Sequence, residues 1–204
     1  MKKSLENRRN GIKIIFFMNT SGQLIFPNYI DFEKSSEIFQ PFTNEFNKIM
    51  REIKELERKE DYRNGILKCE RFIKQYNNKF PSLFIAQLKY EIAKFYFKLR
   101  KFQKAISISR EISSRYSYLL NNDGIPFLFL TSLLIGKSLI EMNKSEEAVK
   151  IFSDAIDSFW RGELILTNTC SALLKELKEI LREIKASESL IYRINFLIDE
   201  VSFG

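Results

Sequence analysis

The chain has 204 residues and a formal net charge of +7, with 45% of its residues apolar and 29% charged, a balance that excludes a disordered chain and a chain of membrane spans. It has no histidine, seven glycines, four prolines and two cysteines. Without histidine the usual general base, the commonest zinc ligand and the usual pH switch are missing, and Cys69 and Cys170 are too far apart for a CxxC metal pair.

No GxGxxG or GxxxxGK[ST] loop is present, so no nucleotide cradle can be read and no cofactor is expected. Paired carboxylates occur at Glu146-Glu147 and at Glu179 with Glu183. The first pair suits the start of a helix, where acids complement the dipole, and the second is an i,i+4 pair on a polar face. The expectation is a binding module or scaffold, not an enzyme.

Residues 1–41 read as a basic arm, a short β-hairpin and a linker. MKKSLENRRNGIK precedes the apolar run IIFFM, which is too short for a signal-peptide core. IKIIFFM and QLIF flank Asn19-Thr20-Ser21-Gly22, a hairpin signal. A lone hairpin is marginal in water, so this one must pack on the helices or find a third strand in a partner or a second copy. The apolar stretch Ile125–Gly136 is followed at once by Lys137 and falls short of a bilayer span; it predicts a buried helix. Two widely spaced thiols and these absences fit a cytoplasmic protein.

From residue 42 to 160 the sequence repeats. Pro41, Pro81 and Pro126 lie 40 and 45 residues apart, and each precedes a helix-period stretch. Gly65, Ala105 and Ala148 follow charged turns at spacings of 40 and 43. Two markers with one period predict three stacked helical hairpins. The second unit is clearest, with Ile92, Tyr96 and Leu99 on its first helix and Phe102, Ala105, Ile106 and Ile112 on its second. The third repeats it, with Gly136 for Ala93, Leu139 for Tyr96 and Ala148 for Ala105. The first keeps Leu56, Tyr62, Gly65, Cys69 and Phe72. Residues 161–204 add two amphipathic stretches, 164–185 and 188–201, expected to close the array as a capping pair.

These residues resemble tetratricopeptide repeats: the small residue, the aromatic three places later, the turn aromatic and the alanine of the second helix fall at that family's spacing. No unit has the family's early tryptophan or terminal proline, and the period is longer. The longer-period members, SNAP-like adaptors and bacterial outer-membrane assembly lipoproteins, are the nearer likeness, although a lipid-attachment cysteine near the start is missing here. The resemblance implies a mainly all-α, tetratricopeptide-like helical-hairpin solenoid that binds proteins along a concave groove.

The basic excess is concentrated. Residues 1–14 have five basic residues against one acidic, and residues 81–116 have eight against two. In the repeat register Lys94 and Lys137 follow the small residues Ala93 and Gly136, and Lys54 takes that place in the first unit. The resemblance puts this position in the concave groove. With Gln87, Tyr90, Phe97 and Lys98, these lysines would form a basic, aromatic-lined groove, similar in kind to the carboxylate clamp of chaperone-binding tetratricopeptide domains. The expected partner is a protein or acidic peptide held by charge-assisted hydrogen bonds. The alternative is a basic nucleic-acid-binding repeat protein, since aromatics lie among the lysines. Phe16, Phe17, Phe39, Phe42, Phe46, Phe80, Phe84 and Phe203 are not all placed by the hairpin pattern, which leaves homo-oligomerisation open, the N-terminal hairpin being one route.

Overall fold

A computed structural model of the chain describes residues 17–18, 24–25, 32–76, 80–117, 119–121, 123–164 and 166–203. The described residues are mainly α-helical. Two two-residue strands, β1 (Phe17–Met18) and β2 (Leu24–Ile25), pair antiparallel with Phe17 opposite Ile25. The predicted basic arm and the turn Asn19–Gly22 lie outside the described residues. Among the described residues eight α-helices follow: α1 (Phe32–Arg58), α2 (Tyr62–Tyr76), α3 (Ser82–Lys98), α4 (Phe102–Tyr116), α5 (Phe127–Glu141), α6 (Ser145–Trp160), α7 (Ser171–Glu183) and α8 (Glu188–Phe203). The chain divides into two compact units, Met1–Asn44 and Glu45–Gly204.

Pro81 and Pro126 stand at the N-caps of α3 and α5 with φ of −56° and −60°, where the absent N–H is not needed. Pro41 does not open a helix. It falls within α1, which begins at Phe32, because Glu33 to Gln40 are mostly tolerant or good helix formers that carry the helix up to the proline. The predicted stretch 164–185 is also shorter as a helix: a 3-10 turn at Asn168–Cys170 precedes α7. There the Thr167 hydroxyl donates to the Gly124 carbonyl at 3.1 Å, holding the segment in a non-helical path against the loop before α5.

The repeat is written most clearly in the turn inside each hairpin. Glu60, Arg100, Asn143 and Lys185, spaced by 40, 43 and 42 residues, each take a positive φ of 55–59°. At each, the next residue's N–H returns to a carbonyl five positions earlier: Asp61 to Leu56 at 2.9 Å, Lys101 to Tyr96 at 2.8 Å, Lys144 to Leu139 at 2.9 Å and Ala186 to Leu181 at 2.9 Å. This closure satisfies the orphan carbonyls at a helix end through one left-handed residue. None of the four is glycine, so the signal was invisible to a count of turn residues. The C-terminal pair α7–α8, expected as a cap, has the same turn as the three hairpins before it.

In the unit from Glu45 onward the helices pack consecutively, a helical-repeat arrangement. α3 packs on both α2 and α4, α5 on both α4 and α6, and α8 on α7 and α6. First helices also meet one another, α3 packing on α5. The first helices α1, α3, α5 and α7, linked by this packing and by ion pairs from α3 to α1 and from α5 to α7, make one layer, and the second helices, with α2 and α4 flanking a groove over α3 and α6 packing on α8, make the other. α5 is buried along most of its length, with Phe127, Phe129, Leu130 and Leu133 in the core, as its apolar run requires. No helix among the described residues is long and apolar enough to cross a membrane.

Close approach depends on two glycines. A Cβ on Gly65 would lie 2.4 Å from the Phe95 ring, and one on Gly136 would lie 2.1 Å from the Phe152 ring. Phe95 and Phe152 are wholly buried, and each such side chain contributes roughly 1.5–3 kcal/mol of hydrophobic stabilisation. The unassigned phenylalanines partly join this interior. Phe46 stacks on Phe84 at 4.3 Å between ring centroids, and Phe80 meets Phe72 edge-on at 5.0 Å.

Candidate functional site

Lys54, Lys94 and Lys137 each lie six residues before the left-handed turn residue of their hairpin, on α1, α3 and α5. This equivalence places them at corresponding points of the first-helix layer. The layer is held by packing of α3 on α5, so the surroundings of each lysine are set by the first helix beside it.

Lys94 is about a third exposed and ends between two carboxylates. Its Nζ donates to Glu91 Oε2 at 2.8 Å and lies 3.6 Å from Glu57 Oε1 on α1. Glu91 is itself buried and also accepts from Gln87 Nε2 at 2.9 Å. Burial pulls the Lys94 ammonium toward the neutral form, but Glu91 and Glu57 outweigh it and its pKa ends above the ordinary value. The result is a half-buried polar chain, Gln87–Glu91–Lys94–Glu57, tying α3 to α1. Gln87 Oε1 has no hydrogen-bond partner among the described residues.

Lys137 of α5 is ion-paired to Glu176 of α7. Tyr90 packs edge-on to Phe127, with ring centroids 6.4 Å apart. Burial, reinforced by the negative charges of Glu91 and Glu176, pushes the Tyr90 hydroxyl well above the ordinary tyrosine pKa. Phe97 is half-buried against Phe102 at 5.6 Å, while Lys98 is exposed. Lys54 is exposed, forms no ion pair among the described residues, and with Asn47, Met50 and Arg51 lines a surface depression of about 270 Å³.

Of the seven residues singled out, Gln87 and Lys94 join one network, and Tyr90 senses the carboxylates of that network and of the Lys137 pair. Lys54, Phe97 and Lys98 stand outside both. The sequence reading missed Glu57, Glu91 and Glu176, which neutralise the two inner lysines. Part of the signal was available: Glu91 and Glu176 each stand nine residues before a turn residue, Arg100 and Lys185, and so repeat one position. Glu57 has no such counterpart.

Other chemistry is sparse. Burial, with help from the charges of Glu91 and Glu70, pushes the Cys69 thiol up to about 12, so it is not a thiolate nucleophile at neutral pH. No group of three His, Cys, Asp or Glu side chains among the described residues could hold a metal ion. A shallow groove of about 380 Å³ lies between α2 and α4 over α3, lined by Ile73, Lys74, Ile92 and Ile108 and crossed by the Lys89–Glu111 ion pair at 2.5 Å. Comparison with protein-family models, with curated proteins and with solved structures found no match for this chain.

Proposed function

We propose that the protein is a non-catalytic, tetratricopeptide-like adaptor that takes a protein or acidic peptide along its first-helix layer. The observation that carries this is the column of repeat-equivalent lysines, Lys54, Lys94 and Lys137, on successive first helices. Lys54 and Lys98 are the exposed cations that would meet an incoming carboxylate. Lys94 and Lys137 would act differently: an acidic ligand would compete with Glu57 and Glu176 for them, so binding would loosen pairs between first helices. The Lys137–Glu176 pair, the more exposed of the two, would exchange with a ligand carboxylate at the smaller cost, because pairs in water are worth only about 0–1 kcal/mol.

The test is fluorescence polarisation with a panel of acidic, free C-terminal peptides against the whole chain and a Lys54→Glu/Lys98→Glu variant. Binding that drops with the variant while its melting stays unchanged is the expected result. Binding indifferent to both lysines would sink the groove. Retention on an oligonucleotide that falls steeply with salt, in place of peptide binding, would favour the nucleic-acid alternative.

A further inference from the structure

The second-helix layer carries a charge pattern that the groove does not use. α2 has four basic residues and one acidic, net +3, and α4 has three against one, net +2. α6 has four acidic residues and one basic, net −3, and α8 has three against one, net −2. The first helices alongside are sorted less sharply: α1 is −1, α3 is +2, and α5 and α7 are each neutral by the same count. The charges at issue are exposed, with Arg71 and Arg110 on the basic half and Asp154 and Asp199 on the acidic half. None of these four enters an ion pair among the described residues.

Both halves also present apolar surface. Tyr192 is 69% exposed, and the exposed Trp160 and Phe196 rings lie 4.8 Å apart on the acidic half, while Leu67 of α2 is exposed on the basic half. A protein that keeps four large hydrophobic side chains in water on one layer, framed by opposite charges at its two ends, has the composition of an interaction surface.

We infer that this layer is a self-association surface, on which two copies pair antiparallel so that the basic α2–α4 half of each lies on the acidic α6–α8 half of the other. A two-fold interface brings residue i onto j and j onto i, so a surface with one basic and one acidic half is complementary to itself twice over. A partner of one charge sign is matched by only one half: a polyanion would meet repulsion at α6–α8, and a polycation at α2–α4. The tyrosine, tryptophan and phenylalanine of the acidic half supply the apolar anchor, with Leu67 of the second copy facing them. This inference is independent of the peptide groove, which lies on the other layer.

Sedimentation velocity over a concentration series tests it on the whole chain. The unaltered protein should form a dimer at low salt that weakens as salt shortens the range of the charges to below about 10 Å. Arg71→Glu/Arg110→Glu and Asp154→Lys/Asp199→Lys should each weaken self-association about a hundredfold, while circular dichroism confirms unchanged helix. Mixing the two variants should restore a dimer, because each now carries the charge the other lacks. Tyr192→Ala should weaken pairing at every salt concentration. A monomer at all concentrations and low salt would overturn the inference, as would dimers indifferent to both reversals or a mixture that stays monomeric. Oligomers that grow without limit would overturn the two-fold arrangement in favour of head-to-tail contact.

Discussion

In the first-helix layer, Lys94 and Lys137 end on Glu57, Glu91 and Glu176 of their own and neighbouring helices, so opposite charges are interleaved and spent within the chain. In the second-helix layer the signs are sorted instead, basic on α2 and α4 and acidic on α6 and α8, with most of these charges in water. The same residue types thus stabilise one face and leave the other ready for contact. What decides between the two uses is the distance across the layer to an opposite charge, not the number of charges on a helix.

The packing behind the first layer should give the largest effect when disturbed. Gly136→Val would drive a side chain into the Phe152 ring and should cost about 3 kcal/mol by overpacking. For a chain of this length that corresponds to a fall of roughly 6–12 °C in Tm, measurable by calorimetry. Partial recovery on adding Phe152→Leu would locate the strain at that crossing.

Breaking the interleaved charges should cost less. Glu91→Gln leaves Lys94 with Glu57 alone, and since removing one member of a fully buried pair costs ~3–5 kcal/mol, this half-open site should lose about 2 kcal/mol in urea unfolding. A stability unchanged within error would mean that Lys94 does not depend on Glu91.

Alkaline titration probes the interleaved layer, where Tyr90 and Lys94 both lie on α3. The folded-state pKa of Lys94 lies above its ordinary 10.5, so its contribution is complete below that value and is lost as pH rises through the folded pKa. Tyr90 is raised above 10.0 as well; the unfolded chain ionises first, so folding again loses stability above pH 10. Both drain stability in the same window, and Tyr90→Phe should flatten the loss seen by circular dichroism between pH 10 and 12. An identical profile in the variant would place the loss elsewhere.

The smallest effect on folding belongs to the sorted layer. Arg71→Glu/Arg110→Glu should leave thermal unfolding within about 0.5 kcal/mol, as exposed substitutions do, while changing association strongly. A large loss of stability from it would show that the second-layer charges are spent inside the chain after all.

How far the sequence could be read varies along the repeat. Ala93, Gly136, Ala105 and Ala148 marked the crossings because close approach of two backbones demands small side chains, whatever the partner. Pro81 and Pro126 marked helix starts because a missing N–H is tolerated there. Pro41 misled, since a proline does not reveal whether helix-forming residues ahead of it have already begun the helix. The hairpin turns left no trace in glycine count, because Glu60, Arg100, Asn143 and Lys185 are held left-handed by the Schellman-type hydrogen bonds around them. For the site, the equivalence of Lys54, Lys94 and Lys137 was legible, but the charge balance around them was not.

The sequence by itself determined that the described chain is a run of paired helices with one recurring period, because helix formation rests on hydrogen bonds and side-chain contacts three and four residues apart. It also determined which residues share a repeat position. Only the tertiary structure decided that Lys94 meets Glu57 across 37 positions and Lys137 meets Glu176 across 39, and that the sorted charges of α2, α4, α6 and α8 share one layer. Coulombic attraction depends on separation in space, and that separation is set by how the helices pack.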